Sequence, residues 1–262
     1  MNLDLTDKTA LVCDASQGMG AAVAKELALL GANVVVLARN ENNLQQVVAG
    51  LAVSAGQQHG YLVADTNQTE KLIAVITNYL SGGNTIHILV NNTGGPPSLP
   101  LIETSVAELE AAFRSHLIAS HVLAQAVVVG MKAAGYGRII NILSTSVKQP
   151  INGLGISNTV RAAVANWAKT LANEIAPFGI TVNNVLPGYT ETARLQYFME
   201  KQAVNQNKNI DEVKQKAASF IPAGRLGEPG ELAAAVAFLC SPAAAYINGI
   251  NLPVDGGRLG SL

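Results

Sequence analysis

Thr9-Ala10-Leu11-Val12-Cys13-Asp14-Ala15-Ser16-Gln17-Gly18-Met19-Gly20 is the stretch that decides the fold. A short apolar run stops at a loop with two glycines one residue apart. The chain then continues at helical spacing through Val23, Ala24, Leu27 and Leu30. A strand that runs through a glycine turn into a helix is the opening of a βαβ unit. Glycines at such a turn let backbone N–H groups approach a pyrophosphate held at the positive helix N-terminus. Ser16, Gln17, Gly18, Met19 and Gly20 are therefore candidates for a dinucleotide-binding loop. By itself a Gly-x-Gly serves any tight turn; its place between the first strand and the first helix gives it weight.

Outward from this unit the same alternation continues. The patterns predict strands over 9–13, 33–37, 61–63, 86–90, 138–143, 181–186 and 251–254. Between them, helices are predicted over 18–30, 41–54, 69–80, 105–134, 155–177 and 231–240. The strands read as apolar runs, as expected when helices cover both faces of a parallel sheet. Strands alternating with helices predict right-handed crossovers and one doubly wound, Rossmann-type α/β domain of about seven strands over 1–262. The polar segment 192–218 follows the sixth strand and is expected to be a lid-like segment or a solvated helix.

Composition excludes several classes. The 262 residues are 49% apolar and only 13% charged, with a net charge of −1. That supports a sizeable core and predicts no electrostatic pull toward nucleic acid or membrane. No apolar run approaches the ~18 residues of a bilayer span. The acidic start, Met1 to Asp7, does not read as a secretory signal. Cys13 and Cys240 form neither a disulfide framework nor a metal-binding spacing. The expectation is a cytoplasmic protein with no metal. Arg39 directly follows the second strand, where a carboxylate would bond a ribose 2′-OH; an arginine there suits a 2′-phosphate instead. NADP is therefore expected over NAD.

Further segments fall in order: Ala64-Asp65, Leu89-Val90-Asn91-Asn92-Thr93-Gly94, Gly137-Arg138-Ile139-Ile140-Asn141, Ser144, Pro187-Gly188, Arg225-Leu226-Gly227-Glu228-Pro229 and Val254-Asp255-Gly256-Gly257. Together the whole chain resembles the short-chain dehydrogenase/reductase family, and its 3-oxoacyl-acyl-carrier-protein reductase branch in particular. The resemblance implies that Asp65 and Thr66 meet the adenine and that Asn92 and Gly94 line the cofactor. It places Pro187, Gly188 and Thr192 near the nicotinamide. It also implies a small carbonyl or alcohol substrate and a homotetramer or dimer.

The departures are as informative as the matches. The family's serine is matched by Ser144, but thirteen residues later stands Ser157 in place of tyrosine, and four further on Arg161 in place of lysine. A phenol titrates near ~10 and is tunable by a neighbouring cation, whereas an aliphatic hydroxyl is a far weaker acid. Ser157 is then a hydrogen-bond donor at most, and Arg161 a fixed charge for ribose hydroxyls or phosphate. His116 stands where the family places an asparagine of a proton relay, and is either a titrating group or a packed histidine. Asp14 replaces the first glycine of the loop and sets a carboxylate near the pyrophosphate, so cofactor affinity is in question. Tyr189 is a lesser candidate for the missing acid. A serine–histidine hydrolase built from Ser144, Ser157 and His116 is disfavoured, because the resemblance sets His116 behind the tyrosine position. The leading expectation is an NADP(H)-dependent carbonyl or 3-oxoacyl reductase with an atypical donor. The alternatives are a silent member that binds cofactor or a partner, and a scaffold without cofactor.

Overall fold

The computed structural model describes residues 1–261. Its seven strands are β1 (Thr9–Cys13), β2 (Asn33–Ala38), β3 (Gly60–Val63), β4 (Ile88–Asn91), β5 (Gly137–Ile142), β6 (Ile180–Pro187) and β7 (Asn251–Val254). They form one sheet in the order β3-β2-β1-β4-β5-β6-β7, and every pairing is parallel. The order reverses between β1 and β4, which opens a crevice at their carboxyl ends.

Helices α1 (Gly18–Leu29), α2 (Glu41–Ala49) and a C-terminal helix cover one face. The other face carries α3 (Thr69–Ser81), then α4 (Val106–Phe113) running on into α5 (Ala119–Ala134), and α6 (Gly155–Ile175). Val12, Val34, Val36, Val90 and Ile140 point to the first face, and Leu11, Leu37, Leu89 and Ile139 to the second. This is the strict alternation of a strand whose two sides are both dry. The segment expected as a lid is helical: α7 (Ala193–Gln206) and α8 (Ile210–Ser219) share a small core of Met199, Ala203, Val213, Ile221 and Leu226. The C-terminal helix is α9 (Pro229–Cys240), started by Pro229 at its first position and a capping box between Glu228 and Glu231.

Several expectations shift. The second helix stops at Ala49 because Gly50 follows, short of the expected 54. The long helix is interrupted by a π-turn at Arg114–Ile118, where the Ser120 hydroxyl donates to the His116 carbonyl at 2.6 Å. Such one-residue insertions re-aim side chains and gather at functional sites. The continuous stretch Val106–Ala134 is also long and apolar enough, by composition, to cross a membrane, contrary to the sequence expectation. Leu123, Ala124, Val127 and Met131 on it pack in the sheet-facing core.

The strands are not uniformly apolar either. Asn91, Asn141, Asn184 and Asn251 are register partners across β4, β5, β6 and β7. Their side chains form a chain of amide hydrogen bonds: Asn91 Nδ2 to Asn141 Oδ1 at 2.9 Å, Asn141 Nδ2 to Asn184 Oδ1 at 2.8 Å, and Asn184 Nδ2 to Asn251 Oδ1 at 2.8 Å. Each inner amide is satisfied by its neighbours, so polar groups sit in the core at little desolvation cost.

Candidate active site

The glycine loop closes tightly on itself. Gly18 has φ +58°, a backbone conformation that β-carbons disfavour. A β-carbon on Gly20 would lie 2.4 Å from the Asp14 carbonyl oxygen and 3.0 Å from Asn92 Nδ2, so only glycine fits there. Gln17 caps α1 with extended backbone and no side-chain bond, leaving the first-turn N–H groups without a side-chain acceptor. This is an anion cradle of the kind a pyrophosphate takes. Thr192 sits across from it, its methyl 3.7 Å from the position a Gly18 β-carbon would take. Asn92 anchors the loop to the end of β4, its amide donating to the Asp14 carbonyl at 3.3 Å.

The structure thus brings Ser16 to Gly20, Asn92, Gly94 and Thr192 to one crevice. Arg39 stands exposed at the end of β2. Asp65 follows β3 and accepts the Asn67 amide at 2.9 Å, which fixes the turn that carries Thr66. Pro187 ends β6, and Gly188 packs against Asp255, where a β-carbon would come within 2.8 Å. Tyr189 lies under the Arg258 guanidinium, 4.4 Å from the ring centre. Its carbonyl holds Gly227, and Arg225 clasps Glu231 through two short bonds of 2.8 and 2.6 Å. The 225–229 motif is thereby a brace for the loop after β6.

The second cluster lies beside β5. Ser144 follows that strand and its hydroxyl accepts the Ser146 amide at 3.1 Å. Ser157 is buried in the first turn of α6. Arg161, one turn on, is buried too. Its Nη1 donates to the carbonyls of Ile142 at 3.1 Å and Leu143 at 2.6 Å, and its Nε to Ser157 Oγ at 3.2 Å. Burial, then the nearby Arg194, pull its pKa down to about 10, so it stays protonated at neutrality. His116, carried inward by the π-turn, bonds Thr93 Oγ1 through Nδ1 at 2.8 Å. Burial first, then Arg161 and Arg194, depress its pKa to about 3. It is a neutral, packed histidine and does not titrate near neutrality.

Sequence reasoning missed Arg194. It projects from the first turn of α7 to the loop after β4, donating to the carbonyls of Gly95 at 2.6 Å and Pro96 at 3.5 Å. A signal was present: this is the one cation in the first turn after Thr192. With Phe198 and Lys201 of the same helix and residues 95–98 it lines a cleft of about 720 Å³. Asp14 reaches the same place: from the position of a Gly94 β-carbon, Arg194 Nη1 is 3.5 Å away and Asp14 Oδ2 3.8 Å. Among the described residues, no group of three His, Cys, Asp or Glu gathers to hold a metal.

Known proteins resemble this chain along nearly its whole length. A family model described as enoyl-(acyl carrier protein) reductase matches residues 14–258. A 3-oxoacyl-[acyl-carrier-protein] reductase of Vibrio cholerae is 36% identical over 257 residues, covering 97% of this chain and 98% of the relative. A chloroplastic tropinone reductase homologue of Arabidopsis thaliana is 32% identical, covering 97% of this chain and 76% of its own. The L-sorbose reductase of Gluconobacter frateurii, solved with NADPH and L-sorbose, superposes with a TM-score of 0.94 at 30% identity over the full length of both chains. With an all-parallel seven-stranded sheet, a glycine loop at its switch point and similarity along nearly its whole length, the chain belongs to the short-chain dehydrogenase/reductase family, in the branch of the 3-oxoacyl-[acyl-carrier-protein] reductases.

Proposed function

We propose that this chain is an NADP(H)-dependent reductase of small carbonyl compounds in which Ser144 and Ser157, the latter polarised by Arg161, take the carbonyl oxygen in place of a phenol. The observation that carries the reading is the Arg161 bridge. One guanidinium binds the carbonyl just before Ser144 and the hydroxyl of Ser157. Because Ser157 Oγ accepts from a cation, its own O–H remains to donate to a substrate oxygen.

The residues present fit a dinucleotide: the glycine cradle, Asn92, Thr192 and the exposed Arg39 supply a phosphate seat and a 2′-phosphate partner. NADPH-bound relatives of the same fold support that assignment. When bound, the nicotinamide supplies the hydride. Ser144 and Ser157 orient the carbonyl, and the fixed charge of Arg161 favours the alkoxide that develops. Arg161 cannot hand on a proton near neutrality, nor can an aliphatic hydroxyl, so the alkoxide is protonated from water. Lack of a positioned general acid predicts turnover roughly 10²–10⁴ below that of a phenol-equipped member. The substrate reaches the site past Arg194, Phe198 and Lys201; the 3-oxoacyl thioester and ketose of the relatives are the two chemistries to try first. We extend the reading to a homo-oligomer, supported by Val106 and Val129, exposed on the long helix.

The test is NADPH oxidation against a panel of 3-oxoacyl thioesters and ketoses, with NADPH binding measured separately. Ser157→Ala is expected to abolish slow turnover while leaving NADPH binding unchanged. Tight NADPH binding with no turnover of any carbonyl would replace this reading with that of a cofactor-binding member that does no chemistry.

A further inference from the structure

Asp14 is the one residue of the crevice that does not suit a dinucleotide. It holds a left-handed backbone, φ +46°, where the loop's geometry favours glycine. Its carboxylate turns toward Gly94, into the crevice between the glycine cradle and α7. The charged groups that face it come from two elements: Arg39 at the end of β2 and Arg194 in the first turn of α7. The adjoining Cys13 thiol is neutral, pushed up to about 12 by burial and then by Asp14 itself. Asn92 bonds the Asp14 carbonyl and leaves the carboxylate alone.

We propose that Asp14 is a proton-operated brake on dinucleotide binding: its carboxylate stands in the crevice within electrostatic reach of Arg194 and Arg39 in the free protein, and it takes up a proton when a pyrophosphate enters the crevice. The inference rests on the reading that this crevice takes a nicotinamide dinucleotide, but not on any turnover. Two like charges in one partly buried crevice repel, and the cheaper escape is to protonate the carboxylate rather than to expel the ligand. Burial already raises Asp14 above the ordinary carboxylate value, with the two arginines opposing it. A phosphate beside it raises it further. The sign follows: the bound state holds a proton that the free state has lost, so affinity is greatest in acid. Affinity falls as pH rises through the free-state value, by up to tenfold per pH unit. Neutralising Asp14 then leaves the positive charge of Arg194 and Arg39 unopposed for the phosphates.

The experiment is isothermal titration calorimetry of the full chain with NADH, which lacks the separately titrating 2′-phosphate. It is run from about pH 5 to about pH 8 in buffers of different ionisation heat. The wild type is compared with Asp14→Asn and Asp14→Gly, each checked for folding by thermal unfolding; glycine also relieves the strained φ. The expected result is uptake of close to one proton by the wild type in the upper half of the range. Both variants should take up none and bind NADH roughly 10- to 100-fold more tightly at about pH 8. Binding by the variants but not by the wild type also supports the brake. Wild-type affinity without pH dependence or proton uptake overturns it. So does weaker binding by the variants, which would make Asp14 a hook for ribose hydroxyls. Failure of all three folded proteins to bind overturns it as well. The expected binding pattern in a protein that reduces no carbonyl leaves this inference standing and removes only the proposed chemistry.

Discussion

Replacing Asn141 by alanine is the sharpest probe of how the site is held, because Asn141 is fully buried in the middle of the amide chain that crosses β4 to β7. The substitution removes one acceptor and one donor at once. Asn91 Nδ2 and Asn184 Oδ1 are left in the core with no partner, and both residues are almost fully buried. Orphaning a buried polar group costs about 1–3 kcal/mol, so the two together cost about 2–6 kcal/mol. For a chain of this length each kcal/mol moves Tm by roughly 2–4 °C, and the midpoints of the two ranges predict a fall of about 12 °C. Asn251→Ala is the internal control. It lies at the half-buried end of the chain, strands only Asn184 Nδ2, and should cost about 1 kcal/mol. Asn91→Ala should fall between the two, since Asn91 Oδ1 is already without a partner. Thermal unfolding followed by circular dichroism reads all three. Asn141→Ala within about 2 °C of wild type, or equal losses for Asn141 and Asn251, would refute the argument that satisfaction of the inner amides sustains the sheet.

Two more predictions concern the reaction centre. His116 is neutral in the fold down to about pH 3 but takes a proton below about 6.5 when unfolded. Acidification through that window therefore favours unfolding, and stability rises again as pH rises through it. His116→Gln should flatten this part of the stability–pH curve; an unchanged slope would place the acid sensitivity elsewhere. The pair Ser157→Tyr with Arg161→Lys restores a phenol and a titratable amine. Carbonyl reduction should rise roughly 100-fold or more over wild type. Some loss of Tm is expected, because a lysine cannot reproduce the three-point contact to Ile142, Leu143 and Ser157. A drop in activity of the folded double variant would show that the native site runs on its own chemistry.

The sequence by itself determined the parallel sheet, the glycine loop and the missing phenol. Those depend on spacing along the chain: a strand-turn-helix reads in order, and an absent tyrosine is absent whatever the fold does. It also marked Asp14 as an intruder, since a carboxylate at a phosphate loop is wrong by charge alone. Four things were decided only in three dimensions. Arg161, read as a group for ribose or phosphate, is turned inward because two strand-end carbonyls and Ser157 lie within its reach. His116, read as either titrating or packed, is packed because a π-turn swings it into a buried place beside two arginines. Arg194 joins the crevice because α7 starts against the loop after β4, a contact between residues some hundred positions apart. The amide chain is likewise invisible along the sequence, because its members are separate asparagines that only the strand register sets side by side. Local spacing fixes which element a residue belongs to; the register of strands and the docking of helices fix what its side chain meets.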